Sequence, residues 1–195
     1  AVCAIRKGSG YSLFVAIADV SHYVRPGTAL DAEARHRATS TYLTDRAIPM
    51  LPEALSNGLC SLNPHVDRLC FLAELTLDAS GRVRKSRFDP AVMRSKARLT
   101  YERVAETLDG NPPDDEVKDL LPNLLVLSRV ASKLLEQRLR RGAIDLDLPE
   151  PEVRFEDGEP VTSKRRPRND AHRLIEDLML AANEAVRSEE HTSEL

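Results

Sequence analysis

Val15 to Leu62 reads VAIADVSHYVRPGTALDAEARHRATSTYLTDRAIPMLPEALSNGLCSL. Its opening residues belong to a run, Tyr11 to Val20, that is dense in apolar and β-compatible side chains. With Gly8 and Gly10 ahead of it, the run predicts a hairpin turn feeding a buried strand that ends at Asp19. Pro26-Gly27 then turns the chain, and the Thr28 hydroxyl can cap a helix running through about Ala38. Asp31 in its first turn and the cations towards its end suit the helix dipole. Tyr42 and Leu43 stand at or just past the helix exit. Pro49 and Pro52 bracket a short extended link, and PEALSNGLCSL predicts a short helix stopped by Gly58.

After Leu62 the period of two returns. Arg68 to Leu77 is a strand, Gly81 a turn, and Val83 to Thr100 a second and third extended segment kinked at Asp89-Pro90. From Thr100 the period becomes 3.6. Tyr101 to Leu108 is a helix ended by Asp109-Gly110, and NPPDDE, Asn111 to Glu116, is a loop. Leucines from Leu120 to Leu139 mark a long helix that admits Pro122 only in its first turn, with Gly142 as its stop. Glu152 to Thr162 predicts a hairpin about Asp157-Gly158, and Asn169 or Asp170 caps a last helix running to Val186. The expected fold class is α+β, with mixed or antiparallel strands in the first half packed with long helices from the second half.

A chain of 195 residues, 42% hydrophobic and 30% charged, is ordinary for one soluble domain with its own core. No apolar run approaches bilayer length, so no membrane partner is expected and the cytoplasm is the default location. The three cysteines, Cys3, Cys60 and Cys70, contain no C-x-x-C and are expected to be buried thiols rather than a disulfide framework or zinc ribbon. A formal charge of -3 gives no general support for nucleic acid. Lys164, Arg165, Arg166 and Arg168 nevertheless cluster, and Arg138, Arg140 and Arg141 close the long helix. Either group suits phosphates, and equally a solvated loop and a helix C-terminus. The chain has no Walker loop, no H-E-x-x-H, no G-x-S-x-G and no histidine ligand spacing.

Residues 15–62 closely resemble the catalytic domain of the ribonuclease R and ribonuclease II exoribonucleases, the RNB family. The resemblance continues, in the family's order, through NPHVDRLCFLAEL (Asn63 to Leu75), FDPAVMRSKARLTY (Phe88 to Tyr101), RGAIDLDLPEPEVRF (Arg141 to Phe155) and RNDAHRLIEDLMLAAN (Arg168 to Asn183). It implies a partial RNB domain over residues 1–186 of a parent that degrades single-stranded RNA processively from the 3′ end. The products would be nucleoside 5′-monophosphates and the cofactor Mg²⁺. The resemblance also implies that the metal-holding aspartates lie upstream of Ala1, so no metal ligand is assigned within the chain. A catalytic arginine segment is expected beyond Asn183, and the chain alone is expected to be inactive. RSEEHTSEL, Arg187 to Leu195, reads as a translated sequencing adapter outside the native domain. The alternative is a non-catalytic RNA-binding or regulatory protein that keeps the fold. No obligate protein partner is inferred.

In the last helix Leu174, Ile175, Leu178, Met179, Ala182 and Val186 form a core stripe, while Asn169, Arg173, Glu176, Leu180 and Asn183 follow on another face. Spacing alone favours a solvent-facing line. The resemblance instead turns that face to the RNA channel and implies that Glu176 contacts the terminal nucleotide in a catalytic role. A carboxylate there can accept a hydrogen bond from a ribose hydroxyl, the group that separates RNA from DNA. Arg168, Asn169 and Arg173 are assigned to substrate binding beside it. Tyr42 matches the family tyrosine that stacks on the last base, although a tyrosine at a helix exit is also commonly a half-buried packing residue. Leu146 matches a position that is aromatic in several members, and leucine has no π-face to stack. Asp145 with Asp147, and Asp114 with Asp115, match none of the family's metal aspartates and are expected to be structural or solvated. Asp19 and His22 are expected to cap backbone at the end of the first strand or to stand behind the metal ligands.

Overall fold

The computed structural model describes residues 1–43, 46–144, 150–156, 159–166 and 169–193. In chain order the elements are β1 (Val2–Lys7), β2 (Gly10–Ala18), α1 (Ala29–Arg37), β3 (Thr41–Tyr42), β4 (Ala47–Ile48), β5 (Asp67–Leu77), β6 (Val83–Arg94), α2 (Tyr101–Leu108), α3 (Asp115–Lys118), α4 (Leu121–Arg140), β7 (Glu150–Glu156), β8 (Glu159–Arg166) and α5 (Asp170–Ser193). A 3₁₀ turn at Val20–His22 and a π-helical turn at Ala54–Leu59 add to these. The residues divide into two units, Ala1–Ile17 with Asn63–Asp145 and Arg168–Leu195, and Ala18–Leu62 with Leu146–Pro167. Among the described residues no helix is long and apolar enough to cross a membrane.

The first unit is a four-stranded sheet, ordered β1-β2-β5-β6, with α2 to α5. β1 and β2 pair antiparallel with Ala4 opposite Leu13, as the apolar run and its preceding turn require. Gly10 lies so close to the end of β5 that a Cβ would meet the Leu77 carbonyl oxygen at 2.1 Å. Leu13, Val15, Ala73, Leu75 and Leu77 from the sheet share one core with Leu127, Val130 and Leu134 of α4 and with Leu174, Leu178 and Ala182 of α5. Each such leucine, fully removed from water, contributes about 1.5 to 3 kcal/mol. α4 carries the expected apolar stripe and accommodates Pro122 in its first turn, where no intrahelical amide bond is lost. The fold is the expected α+β one, with an antiparallel sheet.

Several boundaries differ from expectation. β6 runs unbroken through Asp89-Pro90, with Pro90 opposite Phe71, and ends at Arg94. It is an edge strand, where an outward-facing position loses no ladder bond to proline. NPPDDE is not all loop: the Asp114 side chain accepts from the Val117 amide at 3.0 Å and starts α3. Gly58 lies inside the π-helical turn instead of ending it. α5 continues past Val186 to Ser193. The three cysteines form no disulfide, but only Cys70 is buried; Cys60 is half-buried and Cys3 exposed.

The second unit begins with the predicted cap. Thr28 Oγ1 accepts from the Asp31 amide at 3.2 Å, while Asp31 accepts from the Gly27 amide at 2.9 Å and from Arg35 Nε at 3.1 Å. β3 and β4 form a two-stranded ribbon, and β7 and β8 form the expected hairpin, longer than the sequence suggested, with Val153 opposite Ser163. The Asp157-Gly158 tip lies outside the described residues.

Candidate functional site

In the first unit the assigned residues sit on α5. Asn169 Oδ1 accepts from the His172 amide at 3.1 Å and lies 2.6 Å from His172 Nδ1, so the Asn169 carbonyl is committed to capping the helix. This narrows its binding assignment to the Nδ2 amine. The His172 ring stacks on Tyr101 with centroids 3.9 Å apart, which ties the start of α5 to α2. One turn on, Arg173 is half-buried. Glu176 keeps 43% of its side chain exposed, with Oε1 3.7 Å from Arg138 Nη1 at the end of α4. The proposed line is therefore only partly a solvent face: Glu176 and Asn183 are exposed, while Asn169, Arg173 and Leu180 are half-buried.

The same Arg138 Nη1 lies 3.2 Å from Asp177 Oδ1, and the Asp177 side chain is 5% exposed. One guanidinium thus serves an exposed carboxylate and a buried one. Sequence reasoning missed Asp177, although the signal was present. Asp177 falls three residues after Leu174 and four before Ala181, on the buried side of the helix, and a buried carboxylate needs a cation. Ala171, Ala181 and Ala185 extend that buried side beyond the expected stripe.

In the second unit Tyr42 is 80% exposed on β3, opposite Ala47. The packing alternative therefore does not apply to this ring. The ribbon that presents it is tied at its base. Arg37 Nη1 donates to the Pro49 carbonyl at 3.1 Å, and the Met50 amide donates to Ser40 Oγ at 3.0 Å. Towards the tip, the Leu43 amide donates to the Arg46 carbonyl at 2.8 Å. Ala38, which ends α1 just before the ribbon, has φ +61°.

Asp19 is a backbone cap. Its Oδ1 accepts from Ser21 Oγ at 2.6 Å and from the His22 amide at 3.1 Å, and these bonds, the serine's first, hold its carboxyl below the usual value. Asp114 is structural too, capping α3 and pairing with Arg103. Leu146, Arg168, Asp145 and Asp147 lie outside the described residues. Among the described residues no group of three or more His, Cys, Asp or Glu side chains could hold a metal ion. The donor set among the described residues does not fit Mg²⁺.

The RNB domain model matches residues 1–193. The chain belongs to the RNB family. This RNB chain is 47% identical over 196 residues to the ribonuclease R of Vibrio cholerae, a match covering 95% of the chain and 23% of that protein. Its fold superposes on Mycoplasma genitalium RNase R in complex with ribose methylated single-stranded RNA, with TM-score 0.95 and 33% identity. That match covers 100% of this chain and 30% of the other. The same organism's RNase R in complex with double-stranded RNA gives TM-score 0.95 and 33% identity, over 100% of this RNB chain and 35% of its counterpart.

Proposed function

We propose that this chain is the nucleotide-gripping part of an RNB exoribonuclease that hydrolyses single-stranded RNA processively from the 3′ end, releasing nucleoside 5′-monophosphates. The observation that carries the reading is Tyr42, 80% exposed on a tied ribbon at the position where the family resemblance implies base stacking. Every base has a π-face, so one exposed tyrosine serves any sequence. In this reading, as the family resemblance implies, Leu146 joins Tyr42 in the second unit, while in the first unit Glu176 accepts a hydrogen bond from the terminal ribose and Arg168, Asn169 and Arg173 bind the strand. Mg²⁺ is the proposed cofactor, held by carboxylates outside the described residues. The cytoplasm is the proposed location. Support comes from similarity to proteins named ribonuclease R and to structures described as holding single- and double-stranded RNA.

The test compares Tyr42→Ala and Tyr42→Phe for binding to a short oligoadenylate by fluorescence anisotropy. Loss of the ring should weaken binding roughly 5- to 150-fold, the equivalent of about 1 to 3 kcal/mol per stacked base, and phenylalanine should restore it. Equal affinity of the alanine variant and the parent chain would sink the reading.

A further inference from the structure

The turn between β5 and β6, the end of α4 and the middle of α5 enclose a cleft of about 570 Å³. Five cations line it, Arg82, Arg84, Lys85, Arg138 and Arg141, against the carboxylates Asp177 and Glu184; Glu176 is not part of the lining. Both carboxylates are engaged, Asp177 by Arg138 at 3.2 Å and Glu184 by Arg141 through two bonds of 3.0 and 3.1 Å. Arg84 is held by Asp78 at 2.6 Å. Arg82 and Lys85 are exposed and have no carboxylate partner among the described residues. The buried side chains of Leu134, Ala181 and Ala185 supply an apolar floor.

The wall carrying those two cations is fixed in advance. Gln137 Nε2 donates to the Ser80 carbonyl at 2.9 Å. Gly81, at φ +85°, packs so tightly on α4 that a Cβ would lie 2.7 Å from Lys133 Cβ. Asp78 accepts from the Ser80 and Arg82 amides at 2.8 and 3.1 Å, which sets the turn's shape. A rigid cleft with surplus positive charge over an apolar floor, of a size that takes a small organic ligand, suits a phosphate joined to a flat, weakly polar body.

We propose that this cleft binds a nucleotide, with Arg82 and Lys85 on the phosphate oxygens and the apolar floor beneath the nucleoside. The proposal rests on the RNA reading above for its source. The nucleotide is either a residue of a bound strand or a released 5′-monophosphate.

The test titrates the 195-residue chain with adenosine 5′-monophosphate, inorganic phosphate and oligoadenylate. The variants are Arg82→Glu/Lys85→Glu and the milder Arg82→Gln/Lys85→Gln, with Lys118→Glu/Arg129→Glu as a charge-matched control away from the cleft. Loss of two charge-assisted contacts should weaken monophosphate binding by about tenfold or more in both cleft variants and not in the control. If the strand is the source, oligoadenylate also weakens and its log-log salt slope falls by about 1.4. Cleft variants that match the control for both nucleotide ligands overturn the proposal. Monophosphate binding no tighter than inorganic phosphate overturns its nucleoside half. Oligoadenylate affinity lost in Tyr42→Ala, with both oligoadenylate and monophosphate affinity intact in the cleft variants, sinks the cleft and leaves the RNA reading standing. The converse pattern sinks the Tyr42 reading and keeps the cleft.

Discussion

Arg138 shows how much one side chain can decide. It is 84% removed from solvent by its 16% exposure, and it faces the buried Asp177 and the exposed Glu176 together. Breaking a buried ion pair by removing one partner leaves the other desolvated, so Asp177→Ala should cost about 3 kcal/mol, read as a fall in the urea midpoint. A change below about 1 kcal/mol would mean that water already screens the pair. Ala38 makes the opposite case. At φ +61° and ψ −40° it sits in a sparsely populated backbone region that costs an L-residue on the order of 1 kcal/mol or more, against about 0.5 to 1 kcal/mol of extra chain entropy for glycine. Ala38→Gly should therefore stabilise by about 0.5 kcal/mol in the same assay. The roles proposed for Tyr42 and Glu176 come from the family resemblance and not from periodicity, and the exposure of the Tyr42 ring was not legible from its place at a helix exit. Asp177 was missed although its spacing from Leu174 and Ala181 marked the buried side, because the cation that pairs with it stands on another helix.

The β5–β6 turn is an element organised by one carboxylate. The Ser80 hydroxyl first, then the Arg82 amide, the Arg84 side chain and the Ser80 amide, hold the Asp78 carboxyl well below its usual value of 3.8. A depressed folded value means that the folded state binds fewer protons in this range than the unfolded chain. The stability from Asp78 is present above pH 3.8 and is lost as the pH falls through the folded value. Asp78→Asn should thus be less stable than the parent chain at pH 7, and the gap should narrow between pH 4 and pH 2 when urea midpoints are compared at each pH. A gap that stays constant would show that hydrogen-bond geometry matters here and ionisation does not. Long elements were legible at this scale: α4 with its leucines, α2 between Thr100 and Asp109, and the β1–β2 hairpin. Short ones were not. α3 has four residues, too few to display a period, and only its cap could have marked it. The kink assigned to Pro90 failed because proline's cost depends on strand position, and edge placement is a property of the sheet.

For the whole molecule, the α+β class and the family were readable from motif order alone, whereas the division into two units was not, since each unit joins distant stretches of chain. The grip proposed for Tyr42 and the cleft proposed around Arg82 are both binding features. The purified chain should therefore bind oligoadenylate in the presence of Mg²⁺ without releasing mononucleotides, measured by thin-layer separation of end-labelled RNA. Magnesium-dependent release would show that carboxylates within these 195 residues suffice for hydrolysis. The clasp between Ser80 and Gln137 also bears on where the protein can be labelled. Surface hairpin tips usually accept inserted tags. This one is bonded and packed onto a helix, so an insertion between Asp78 and Arg82 would pull the sheet away from α4. The loop after α2, where Gly110 faces open space, is the better place for a fluorophore or an epitope.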